Sequence, residues 1–236
     1  VYDGKITTNA LFNEQLNPTY QGEVFCDFHP ITNNGEEWDN GKAYTYSYKG
    51  LFKQVSGDGL EHALVVCNDK NYPYYCFVQL LKKAELIDSK TEKIKLIMPD
   101  TRFVAFIPDN EAIARAVADI PGADKLTIDD NYLISGKPSS SQVTDLANYL
   151  KDYFITDDLN AFNVYPYPGS GFEGKFDTYG VNKEIYVNDD GESITVQLKN
   201  GTNVVPLAKT DEYHSFPFAY HDGCFHLISD ILRVGE

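Results

Sequence analysis

The hydrophobic period changes once along this chain, and that change limits the fold more than any other feature. Between Phe77 and Phe154 apolar residues recur at helical spacing, and beyond Asn163 they alternate. Phe77, Leu80, Leu81 and Ala84 stand at i, i+3, i+4 and i+7, the buried face of an amphipathic helix. Pro73 ahead of them suits a first helical turn. Val143, Leu146, Ala147, Leu150, Tyr153 and Phe154 form the clearest stripe, and Ser139 and Gln142 before it have capping-box spacing. A third helix is expected after Pro108-Asp109-Asn110. Glu111 lies in its first turn, where the helix dipole favours a carboxylate, and Ile113, Ala116 and Val117 share its inner face.

In the second half Ile194, Val196 and Leu198 alternate with polar residues. Asn188-Asp189-Asp190-Gly191 and Asn200-Gly201 are hairpin turn signals. Phe103 to Ile107 is a short apolar run that reads as a strand covered on both faces. Phe225 to Val234 reads as another strand-like segment. Helices first and a β-rich half second define an α+β architecture rather than a doubly wound sheet.

Residues 1–56 have a different texture. They are rich in Asn, Gly and Tyr and lack a helical period, and Tyr44, Tyr46 and Tyr48 alternate with Thr45 and Ser47 as in a half-buried strand. Ser56-Gly57-Asp58-Gly59 is a loop and the expected boundary. The division is therefore an N-terminal piece, 1–56, and a domain over 57–236.

Composition excludes several classes of function. With 35 acidic and 20 basic residues in 236, the formal net charge is −15. Such a chain repels phosphate backbones, so nucleic acid is not an expected partner. No apolar run approaches the roughly 18 residues of a membrane helix, so no spanning segment is expected. The chain opens at Val1 without an initiator methionine, which reads as a mature fragment whose leader or lipid anchor lies outside it. Cys26, Cys67, Cys76 and Cys224 are too few for a disulfide scaffold. Cys67 and Cys76 flank apolar runs and could be buried thiols or a pair.

Motifs with chemical meaning are few. Gly169-Ser170-Gly171-Phe172-Glu173-Gly174 matches a dinucleotide fingerprint, which needs a strand before it and a helix after it. Pro166 and Pro168 forbid a central strand there, and Lys175 to Gly180 carries no helical stripe, so a flexible aromatic-rich loop is expected instead. His214, His221, Cys224 and His226 are metal-ligand types, yet their spacing fits no zinc rule. No metal and no cofactor are expected. No nucleophile stands beside a base, and there is no G-x-S-x-G elbow, so the chain reads as non-enzymatic. The surplus is aromatic: 17 Tyr and 14 Phe. Tyr165, Tyr167, Phe172 and Tyr179 fall in one Pro/Gly-rich stretch, which is expected to form a loop carrying a contact patch for a protein or glycan.

Two segments carry a family resemblance. Val104-Ala105-Phe106-Ile107-Pro108-Asp109-Asn110-Glu111-Ala112-Ile113 resembles the first signature box of the fasciclin domain. Asp222-Gly223-Cys224-Phe225-His226-Leu227-Ile228-Ser229-Asp230-Ile231-Leu232 resembles the second. Phe77-Val78-Gln79-Leu80-Leu81-Lys82-Lys83-Ala84 is similar to the family's helical lead-in. The resemblance covers about Leu60 to Val234, with the boxes in order and about one domain length apart. It implies helices packed on a β-sandwich or wedge of mostly antiparallel strands. It makes Phe106, Pro108, Asn110, Ala112, Gly223, His226, Ile228 and Leu232 structural. The Tyr-His pair that usually ends the family's central helix is replaced here by Tyr153-Phe154. Asn40-Gly41-Lys42-Ala43-Tyr44-Thr45-Tyr46 looks like the closing strand of a preceding domain of the same kind, the alternative being an extension of this one.

The function this implies is a non-enzymatic adhesion or binding module, secreted or lipid-anchored at the cell surface or envelope. The alternatives are a carbohydrate-binding or carbohydrate-processing surface protein and a structural spacer in a tandem array.

Overall fold

A computed structural model describes residues 6–8, 11–12, 18–20, 24–26, 29–30, 36–39, 41–43, 64, 67–88, 90–91, 93–96, 103–155, 172–191, 193–208, 218–220 and 223–235. The N-terminal piece contributes short antiparallel strands: β1 (Ile6–Thr8), β2 (Leu11–Phe12), β3 (Pro18–Tyr20), β4 (Val24–Cys26), β5 (His29–Pro30), β6 (Glu36–Trp38) and β7 (Gly41–Ala43). They pair as β1-β4-β5, β2-β3 and β6-β7. Tyr44, Tyr46 and Tyr48 lie outside the described residues.

Helices lie where the periodicity places them: α1 (Tyr75–Lys83), α2 (Asn110–Ala116) and α3 (Ser140–Lys151). The α3 capping box forms, with Ser139 and Gln142 satisfying each other's backbone N–H groups. Asp109 caps α2, its side chain accepting from Ala112 N at 2.7 Å. Val117 does not continue α2. It opens a 3-10 turn, Val117–Asp119, and is only half-buried. Between α2 and α3 lies a small hairpin, β9 (Thr127–Ile128) and β10 (Ile134–Ser135).

The remaining strands are β8 (Phe103–Pro108), β11 (Gly174–Asp177), β12 (Glu184–Asp189), β13 (Ile194–Leu198), β14 (Val205–Pro206), β15 (Phe218–Tyr220) and β16 (Gly223–Ile228). β11-β12-β13-β14 is an antiparallel meander. Its inner face carries Phe176, Ile185, Val187, Ile194, Val196, Leu198 and Val205, all buried. Its outer face carries polar pairs such as Glu184 with Lys199, and Lys175 over the Tyr186 ring at 5.3 Å. Asp190 and Gly191 (φ +87) make the β12–β13 turn. The Asn200-Gly201 pair belongs to a longer connection between β13 and β14.

The second sheet is β15-β16-β8, and its central pair, β16 with β8, is parallel. Val104 to Ile107 and Phe225 to Ile228 are buried without alternation, because both faces are covered. β16 ends at Ile228. A bend at Ser229-Asp230 follows, so Phe225 to Val234 is not one strand, as its apolar run implied.

Single bridges join the two sheets at both sides. Leu207 pairs with Ile228, Ala105 with Phe154, and Ile155 with Thr178. Phe106 N donates to Tyr153 O, Ile155 N to Val104 O, and Tyr179 N to Phe154 O. The segment after α3 therefore acts as a short strand between β8 and β11, and the strands close into a ring. Helices α1 and α3 pack against it. Where α1, α2, α3 and the C-terminal segment meet, Phe77, Leu80, Ile113, Leu150, Tyr153 and Ile231 leave no space for a water molecule.

Candidate functional site

The two family-like boxes, over a hundred residues apart in sequence, come together in the parallel pair. The register sets Gly223 opposite Phe103, His226 opposite Phe106 and Ile228 opposite Pro108. The His226 ring stacks on Phe106 at 5.7 Å between centroids and 12° between planes, and His226 is 1% exposed. The imidazole thus lies buried on a ring face in a strand covered on both sides.

Asn110 is the polar pivot of this region. It is 5% exposed. Its Oδ1 accepts from Cys76 N at 2.8 Å and its Nδ2 donates to Tyr72 O at 2.8 Å. Its own backbone N–H donates to Pro73 O at 2.8 Å. One side chain at the start of α2 thus satisfies an orphan donor at the start of α1. Ala112, fully buried, lets α2 sit close. Arg115 on the next turn reaches Ser229 O at 2.7 Å, tying the end of the first box to the second.

Leu232 is held by two phenols, Tyr149 in the last turns of α3 and Tyr153 just beyond its C-cap. Tyr149 OH donates to Leu232 O at 2.8 Å and Leu232 N donates to Tyr153 OH at 2.9 Å. The phenols lie 2.5 Å apart. Only one assignment satisfies all three contacts: Tyr153 donates to Tyr149, which donates to the carbonyl. Burial pushes both phenols well above their ordinary range, so they stay neutral.

Of the four residues expected to form the aromatic patch, the structure describes Phe172 and Tyr179. Tyr165 and Tyr167 lie outside the described residues. Phe172 is 1% exposed and stacks on Phe176 at 4.5 Å, so its ring belongs to the core and not to a contact surface. The cause is its position just ahead of β11, where the next inward residue, Phe176, offers a ring face. Tyr179 is half-buried and packs on the same core. A strand, not a helix, follows Phe172, so the glycine motif lacks the helix N-terminus that a dinucleotide needs.

Cys67 and Cys76 are buried thiols, not a disulfide. Burial, with Asp109 and Asp129 nearby, pushes Cys76 up to about 12, which suppresses the thiolate. Among the described residues no group of three His, Cys, Asp or Glu side chains could hold a metal ion. His214 and His221 lie outside those residues.

The exposed apolar residues were not signalled by the sequence, since nothing in a period marks a valine at a turn as outward. Val181, Val204, Leu133 and Val234 are 60, 59, 47 and 41% exposed. Leu133 tops the β9–β10 hairpin, which Gln79 clips to α1 by donating to Tyr132 O and accepting from Ile134 N. No described helix is long and apolar enough to cross a membrane.

Comparison with known proteins finds no matching family model and no matching curated protein.

Proposed function

We propose that residues 57–236 form a fasciclin-type domain and that the chain is a non-enzymatic binding module, secreted or lipid-anchored at the cell surface, working through protein or glycan contacts. The observation that supports this reading is the pairing of the two boxes. Residues that resemble the family's signatures are hydrogen-bonded neighbours in parallel register, and their shared residues pack or cap rather than react. On this reading residues 1–56 are an extension of the domain or the tail of a preceding one.

The acidic surface favours neutral or basic partners over polyanions. Tyr165 and Tyr167, restrained by Pro166 and Pro168, supply the proposed contacts, without Phe172. The test is binding of the purified chain to a glycan array and to cell surfaces, beside Tyr167→Ala. A contact residue weakens binding with the melting temperature unchanged. Binding that survives in Tyr167→Ala while the melting temperature drops several degrees removes Tyr167 from the surface. Hydrolysis of a glycoside or ester that disappears on replacing one Asp or Glu overturns the non-enzymatic reading.

A further inference from the structure

Trp38 is the chain's one tryptophan, and it stands in the open. It ends β6 and is 63% exposed, more than any other large apolar side chain among the described residues. A ring of this size forgoes much of its burial energy unless something covers it. The facing strand does not. Trp38 pairs with Gly41, which has no side chain to lay across the ring, and Glu37 pairs with Lys42 at the alternate position of the ladder. Glu36, two residues back on the strand, shares the ring's face and is exposed. Asp39, which opens the turn to β7, is exposed as well. Among the described residues no aromatic ring and no cation lies on the Trp38 ring, and neither Glu36 nor Asp39 has an ion-pair partner.

We propose that the open face of the β6–β7 hairpin docks an arginine-bearing segment of a partner protein, with the guanidinium stacked on Trp38 and its N–H fork turned to the Glu36 carboxylate. Tryptophan offers a cation the best face of the three aromatic side chains, and arginine is the cation most often found on it. Residues two apart on a strand stand roughly 7 Å from each other. A cation–π contact extends to about 6 Å from the ring centroid. One planar guanidinium can therefore lie over the ring and still donate to the carboxylate, which a compact ammonium does less well.

Charge selects the partner. A sugar ring would use the stacking surface and leave both carboxylates without a counter-charge, whereas a guanidinium uses the ring and the carboxylate together. The net charge of −15 draws basic segments toward the whole surface, and the open ring gives them one place to dock. Tryptophan and arginine are also the side chains that most often carry the binding energy of protein interfaces. The hairpin site involves neither family-like box, nor Tyr165 and Tyr167, and stands whether or not the domain is of the fasciclin type.

The experiment is a titration of the full nitrogen-15-labelled chain with a short glycine-flanked arginine peptide at physiological salt. The same peptide with citrulline in place of arginine, and a neutral oligosaccharide, are titrated beside it. The single tryptophan gives one indole N–H resonance, which reports on this site directly. The arginine peptide should move that resonance and the amides of residues 36–43 saturably, and the citrulline peptide should move neither. Trp38→Ala should weaken the peptide about two- to fivefold, the worth of an exposed cation–π contact, with the melting temperature unchanged. Shifts spread over the acidic surface with the indole unmoved would reduce the binding to diffuse charge attraction and overturn the site. An equal response to citrulline, or an indole that answers to the oligosaccharide alone, overturns the arginine partner. Should Trp38→Ala not fold, Glu36→Gln decides, because it keeps the indole reporter. It must weaken the arginine peptide, and an unchanged affinity is equally fatal.

Discussion

Asn110 and Asp109 stand side by side and do different work. Asn110 serves two backbone groups outside its own helix, one at the start of α1 and one in the turn before it. Truncating it leaves the buried Cys76 N–H without its partner, while the Tyr72 carbonyl keeps the Tyr75 N–H. Asn110→Ala should cost on the order of 1–3 kcal/mol, the penalty of one buried group left unsatisfied, read as a lower urea midpoint at unchanged slope. Asp109 caps α2, but burial pushes its carboxyl up against the pull of the Ala112 N–H. Its stabilising term is therefore present below the ordinary carboxylate range and fades as pH rises through the raised value. Asp109→Asn keeps a capping oxygen and removes the buried charge. Stability measured from pH 4 to 8 should vary less in this variant than in the parent. An identical pH profile would show that Asp109 does not carry the dependence.

Helix α1 ends in a way its sequence does not favour. Leu86 N donates to Leu81 O and Glu85 N to Lys82 O, the closing bonds of a Schellman-type cap. The residue in the left-handed position is Glu85, at φ +56, where glycine is usual. Left-handed geometry costs an ordinary residue roughly 1–2 kcal/mol, and glycine returns part of that as unfolded-state entropy. Glu85→Gly should raise stability by about 0.5–1 kcal/mol, seen as a higher melting temperature. A decrease would mean that Glu85 makes compensating contacts. At the start of α3 the effect runs the other way. Ser139→Ala removes the side-chain half of the capping box and should cost about 1 kcal/mol in denaturant titration.

The whole molecule depends on a closure that no single element supplies. Tyr153 to Ile155 bridge β8 and β11, and without them the described bridges would join the two sheets along the Leu207–Ile228 side alone. Ile155 N donates to Val104 O at 2.9 Å, and Ile155 is 1% exposed. Ile155→Pro removes that donor and wedges a ring into a two-sided strand site. It should destabilise by about 3 kcal/mol or more, detectable as early loss of near-ultraviolet dichroism on heating. The Tyr149–Tyr153–Leu232 contacts close the other end. Tyr149→Phe removes the donor to the Leu232 carbonyl and should cost about 1–3 kcal/mol, with amide exchange of residues 231–235 rising first. Uniform exchange across the chain would deny the C-terminal segment this local anchor.

Period, caps and turns were legible because they depend on residues a few places apart. The stripe from Val143 to Phe154, the Ser139–Gln142 box, the Asp109 start and the alternation from Ile194 to Leu198 each follow from local geometry. So does the two-sided burial expected of Phe103 to Ile107. The mixed α+β class followed from their order. What the residues could not state was partnership over distance. Asn110 is a cap for a different helix, Asp152 is sealed by a turn twenty-six residues on, and Phe172 lies in the core stacked on Phe176. A polar or aromatic side chain has the same local signature whether it faces water or a partner from another element. Only the closure of the sheets decides which, because burial is a property of the packed assembly and not of any one segment.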